Sequence, residues 1–124
     1  MRQENLQYFT EKEEEFIDIL TEIGMKKNSA KVLVFLANKP ESTSREIDCG
    51  TDLRQPEISH ATKYLMAHGY ITSGKSSSKK KGRQRIAYQL AKPVTEILDC
   101  IEIEKKKEAT DQLAVIDELR NYIR

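Results

Sequence analysis

Apolar residues at Phe16, Ile17, Leu20 and Ile23 recur at the three- and four-residue spacing of one helical face. They predict a helix from Glu11 to Gly24, where the glycine supplies a stop. Residues 1–10 show no clear period and are expected to be frayed or to form an arm. A second helix is predicted from about Ser29 to Asn38. Ala30, Leu33, Val34 and Ala37 form its stripe, Val32 and Leu36 widen it, Asn28 or Ser29 can cap its start, and Pro40 lies beyond its end. Thr43 and Glu46 have the capping-box spacing, in which hydroxyl and carboxylate satisfy each other's free amides, and they open a short third helix ending near Gly50. After the turn 50–53, Pro56 stands where a helix accepts proline, at its first position. The fourth helix then runs to about His68, with Gly69 as its stop and Ile58, Thr62, Leu65 and the adjacent Met66 as its apolar side.

From Tyr70 and Ile71 the texture changes. Residues 74–82 are too rich in Gly, Ser and Lys to pack and read as a loop. Beyond it Ile86, Tyr88 and Leu90 alternate with Arg85, Ala87 and Gln89, the period of a half-buried strand. Strand, basic loop and strand make a β-hairpin with a long tip. Pro93 starts a last helix reaching the C-terminus, which at ~1.5 Å per residue would span about 50 Å. It carries Val94, Ile97, Leu98 and Ile101, then the charged stretch 102–108, then Leu113, Ile116, Leu119 and Ile123. Short helices followed by a hairpin are the element order of a winged helix-turn-helix. The expected fold is therefore mainly α with a small β-hairpin, in the α+β class, with a winged-helix domain over 11–92 and a C-terminal helix over 93–124.

Composition bounds the class. A chain of 124 residues is expected to hold one domain, with no room for a separate effector-binding or catalytic one. Apolar residues make up 38% and charged residues 33%, and no apolar run approaches the ~20 residues of a spanning helix. The N-terminus carries no hydrophobic signal region, so the expected location is the cytoplasm, away from membranes. Cys49 and Cys100 are too few for a disulfide scaffold or a four-ligand zinc site. Joined with His60 and His68 they still show no close ligand spacing, so neither metal nor cofactor is expected. There is no Gly-rich phosphate loop, nucleophile elbow or apolar carboxylate pair, and the run Glu13–Glu15 reads as a solvated face, so no enzyme is expected.

The formal charge of +1 conceals a strong asymmetry. Residues 1–24 sum to −5, 25–70 to +2, 71–92 to +7 and 93–124 to −3. The segment 71–92 holds no acid at all, so Lys75, Lys79, Lys80, Lys81, Arg83 and Arg85 stand unneutralised on the hairpin. A flexible cationic tip can follow a phosphate backbone or enter a minor groove. The turn from Gly50 to Gln55 makes the fourth helix the candidate recognition helix. Stepping about 100° per residue from the buried Ile58, Pro56, His60, Lys63 and Ala67 point outward, with Ser59 and Tyr64 on the flanks. Gln55, Ser59, His60 and Lys63 have the short or hydrogen-bonding side chains that a major groove accepts. The expected partner is double-stranded DNA.

The run from Asp52 to Ile71 (DLRQPEISHATKYLMAHGYI) resembles the recognition-helix segment of archaeal winged-helix transcriptional regulators of the TrmB-like and MarR-like kinds. The stretch Gly82–Leu90 (GRQRIAYQL) resembles their second wing strand. The similarity extends over roughly residues 12 to 98. It implies that Thr43 and Ser44 open the positioning helix near a phosphate. It also implies that Gln55, Pro56, Ser59, His60 and Lys63 face the groove and that Arg83 and Arg85 belong to the wing. Thr62 departs from the pattern, which has a larger aliphatic residue there and so implies looser packing. TrmB itself adds a sugar-binding domain that this length is not expected to hold.

The last helix is longer than the domain's own core requires. Burying Leu113, Ile116, Leu119 and Ile123 against a second copy would contribute on the order of 6–10 kcal/mol before entropy costs. A homodimer reading a roughly palindromic site is therefore expected, with any small-molecule effector unidentified. The competing reading is a winged helix used as a protein–protein interaction module in a larger complex, since fold alone does not decide between them.

Overall fold

A computed structural model describes residues 8–76 and 85–124. The chain divides into two compact units, one ending at Ala91 and the other beginning at Lys92.

In the first unit, α1 (Glu11–Glu22) starts from Thr10. Its hydroxyl accepts the Glu13 amide at 3.2 Å, while Glu13 Oε1 accepts the Thr10 amide at 2.8 Å. The segment expected to be frayed or an arm thus ends in a capping box, and Phe9 just before it is buried. Ile17 and Leu20 are buried, whereas Ile19 and Ile23 are exposed. Gly24, at φ 108, closes the helix: its amide bonds Thr21 O and that of Met25 bonds Leu20 O. This left-handed turn needs a residue without Cβ.

The chain leaves that turn through the buried Met25 and enters α2 (Lys27–Asn38) directly from Lys26. Lys26 is extended and makes no side-chain cap. The helix therefore begins two residues ahead of the predicted start, and Ser29 is buried inside its first turn instead of capping it. The buried side is formed by Ala30, Val32, Leu33, Val34 and Leu36, and Ala37 is exposed. Leu33 lies at the centre of this buried arc, with Val32 and Leu36 widening it on one side.

A two-residue strand, β1 (Ser42–Thr43), leads into α3 (Ser44–Gly50) and α4 (Gln55–Ala67), followed by β2 (Ile71–Lys75) and β3 (Ile86–Leu90). The sheet is antiparallel in the order β1-β3-β2, so the expected hairpin gains a third strand. β3 is central, with Ala87 opposite Thr43 on one side and Gly74 on the other. Ala87 is buried while Ile86 is 61% exposed, the reverse of the sidedness that apolar alternation suggests at this end of the strand. The cause is packing: β3 lies over α2 and α3, where a small residue fits. Leu33, Leu36, Ile47, Ile58, Leu65, Tyr70 and Ile71 are fully buried and draw α2, α3, α4 and the start of the hairpin into the core of this winged-helix fold.

In the second unit, α5 (Val94–Ile123) forms one uninterrupted helix. Ile97 and Ile101 are buried, and from Lys105 to Arg124 every residue is exposed. Lys106 pairs with Glu102 and Lys105 with Glu108, each at 3.3 Å along the helix surface. Among the described residues no helix is long and apolar enough to cross a membrane.

Candidate nucleic-acid interface

α3 begins as its sequence dictates. Thr43 Oγ1 accepts the Glu46 amide at 3.2 Å, and Glu46 Oε1 accepts the Thr43 amide at 2.8 Å. The other Glu46 oxygen takes a hydrogen bond from Lys39 Nζ at 2.5 Å. That ammonium, aided by the Thr43 amide, holds the Glu46 carboxyl below the usual carboxylate range. Thr43 and Ser44, expected near a phosphate, are both half-buried at this helix start.

The turn between the two helices is built from side chains. Thr51 is buried; its hydroxyl donates to Ile47 O at 2.7 Å and accepts the Leu53 amide at 3.2 Å. Lys31 of α2 reaches Asp52 at 2.7 Å, and that bond keeps the Asp52 carboxyl below its usual range. Gly50 lies against the Phe35 ring, where an added Cβ would come within 2.1 Å of Cε1. α4 then opens with the Arg54 amide donating to Glu57 Oε1 at 2.8 Å and with Pro56 in its first turn.

Ile58, Ala61, Thr62 and Leu65 form the buried side of α4. Thr62 is as well buried as its neighbours and turns its hydroxyl onto Ser59 O at 3.1 Å, so its polar atom is satisfied within the helix. Gln55, Pro56, Ser59, His60, Lys63 and Ala67 are all exposed, and Tyr64 is half-buried, the rotation read from the sequence. At the far end, Gly69 at φ 77 closes the helix with its amide on Met66 O and that of Tyr70 on Leu65 O. The His68 ring centre lies 4.4 Å from that of Tyr64 and 5.4 Å from that of Tyr70, linking the end of α4 to the residue before β2.

Gln55, exposed at the start of α4, also makes contacts that the pattern does not suggest. Its Nε2 donates to Ser44 O at 3.3 Å and to Asp48 Oδ2 at 3.2 Å, tying the start of α4 to α3. Asp48 was not among the residues singled out by pattern, and neither were Arg45 and Arg54, two exposed cations in the first turn of α3 and before α4. Their signal was local: each basic residue sits at a helix start.

In the wing, β2 and β3 pair from Ile71 with Leu90 to Lys75 with Ile86, and the Ser76 amide donates to Arg85 O at 2.6 Å. Lys75 and Arg85 are exposed at the end of this ladder. Lys79, Lys80, Lys81 and Arg83 lie outside the described residues.

No family model matches the chain, and no curated protein does. Solved structures do. A crystal structure of a transcriptional regulator superposes with a TM-score of 0.58 at 16% identity, over 86% of this chain and 69% of that one. The crystal structure of transcriptional regulator PA4135 gives 0.54 at 16% identity, over 91% and 88%. At such identity the likeness establishes the fold, an α+β winged helix.

Proposed function

We propose that this chain is a sequence-specific DNA-binding transcriptional regulator, with α4 read into the major groove and the wing held on phosphates or in the adjacent minor groove. The observation that carries the reading is the sidedness of α4. One face is packed into the core, and the other offers Ser59, His60 and Lys63 to solvent from the second helix of a helix-turn-helix. The unneutralised +7 of residues 71–92 supports it, and so does the resemblance of 52–71 and 82–90 to TrmB-like and MarR-like regulators. The solved structures of like fold are transcriptional regulators by description. Arg45 and Arg54 extend the proposed phosphate contacts to the two helix starts, beside Thr43 and Ser44. No catalytic step is part of this reading.

The functional form we propose is a homodimer closed through α5. Leu113, Ile116, Leu119 and Ile123 are 63%, 43%, 58% and 85% exposed in the single chain. Spaced three or four apart, they form a stripe that a second copy of the helix would cover. Paired subunits would present two α4 helices to successive turns of duplex.

The test is duplex binding by fluorescence anisotropy across salt concentrations, followed by selection from a randomised pool. Steep loss of affinity with salt and a selected, roughly palindromic site are expected. Ser59→Ala and His60→Ala should then lower discrimination by about 1–3 kcal/mol per lost base contact and leave nonspecific binding intact. Salt-insensitive or absent binding would instead assign the domain to protein partners.

A further inference from the structure

The bonds made by Gln55 restrict what it can read, and the inference rests on the proposed placement of α4 in the major groove. Both groups that its carboxamide meets, the Ser44 carbonyl and the Asp48 carboxylate, are acceptors only. The end facing them must therefore be the amide nitrogen, and its two hydrogens serve two partners. Gln55 is exposed, and its Oε1 makes no bond among the described residues.

A glutamine free to choose reads adenine with both ends, nitrogen to N7 and oxygen to N6. Here that posture would strip the Asp48 carboxylate of its donor. What remains for an outside partner is a lone acceptor. In the major groove, adenine and cytosine offer an exocyclic amino group, whereas guanine O6 and thymine O4 are acceptors that would meet Oε1 unfavourably. We infer that Gln55 clamps α4 to α3 through Nε2 and, through Oε1, selects an amino-bearing base (adenine or cytosine) over guanine or thymine at one position of each half-site. Gln55 would thus be a positioning and a specificity residue at once, with Asp48 setting which of its ends faces the duplex.

The experiment is selection of bound duplexes from a randomised pool by the full chain, its Gln55→Ala variant and its Asp48→Ala variant. Thermal melting and affinity for bulk nonspecific duplex are measured alongside. For the unaltered chain, one position should hold adenine and cytosine together about three- to tenfold over guanine and thymine, the worth of one hydrogen bond. Gln55→Ala should flatten that position and leave the others as they were. Asp48→Ala should narrow it to adenine, because a freed N–H makes the two-ended contact available. That change of preferred base is one a merely structural role would not produce, and it decides the matter even if Gln55→Ala folds poorly. A profile unchanged by either variant, or guanine or thymine at the position lost in Gln55→Ala, would overturn the inference while leaving sequence-specific binding intact. A pool with no enriched position for the unaltered chain would overturn both.

Discussion

Gly50 shows how a single atom can set the spacing between α2 and the helix-turn-helix. Alanine there would gain about 0.5–1 kcal/mol of helical preference, but its Cβ would overlap the half-buried Phe35 ring. Overpacking of this kind costs roughly 1–3 kcal/mol, so Gly50→Ala should be destabilising on balance. Denaturant titration of Gly50→Ala, Phe35→Leu and the double variant checks it: the smaller side chain should restore part of the loss, giving a coupling that independent sites do not show. Glu46 gives a second residue-level expectation. Its carboxyl is held low first by Lys39, so it binds fewer protons folded than unfolded. The stabilisation is complete above the ordinary carboxylate range and is lost as pH falls through the depressed value. In an NMR carboxyl titration, Lys39→Met should move the Glu46 midpoint upward; an unmoved midpoint would mean that the pair contributes nothing in solution.

Among the elements, what was legible in the sequence follows the range of the forces involved. α3 and α4 could be read because their starts and stops are local: Thr43 with Glu46, Pro56 in a first turn, Gly69 as terminator. β1 could not, because two residues acquire strand character only from a partner more than forty positions away. The start of α2 differs from the expected one because no polar cap marks it: Lys26 makes no side-chain cap bond, and the helix follows directly on the buried Met25. In the candidate site, the exposure of Ser59, His60 and Lys63 follows from periodicity. The bonds from Gln55 to α3 depend on how two helices meet, which no spacing encodes. The wing carries its own expectation from charge. Replacing Lys79, Lys80 and Lys81 with Ala should weaken binding to all duplexes alike and lower the salt slope by roughly 0.9 for each phosphate contact removed. A slope that does not change would leave the loop with solubility as its role.

For the whole molecule, the exposed stripe of α5 is the feature that a lone chain leaves unsatisfied. Light scattering should give twice the 14.3 kDa chain mass, and a version ending at Asp111 should fall to the single mass. An intact chain at 14.3 kDa would remove the proposed dimer, and a truncated chain still paired would move the interface elsewhere. Thr43 has a wider consequence of its own. The same residue ends β1 opposite Ala87 and supplies the cap of α3, so the far strand of the wing and the first turn of the helix pair share one anchoring point. Contacts of such sequence separation form late, after a long loop has been closed at an entropic cost. A change at Thr43 should therefore be felt on both sides: Thr43→Ala removes the Oγ1 cap from the first turn of α3, and hydrogen exchange of the amides across the β1–β3 pairing would report whether the strand loosens with it.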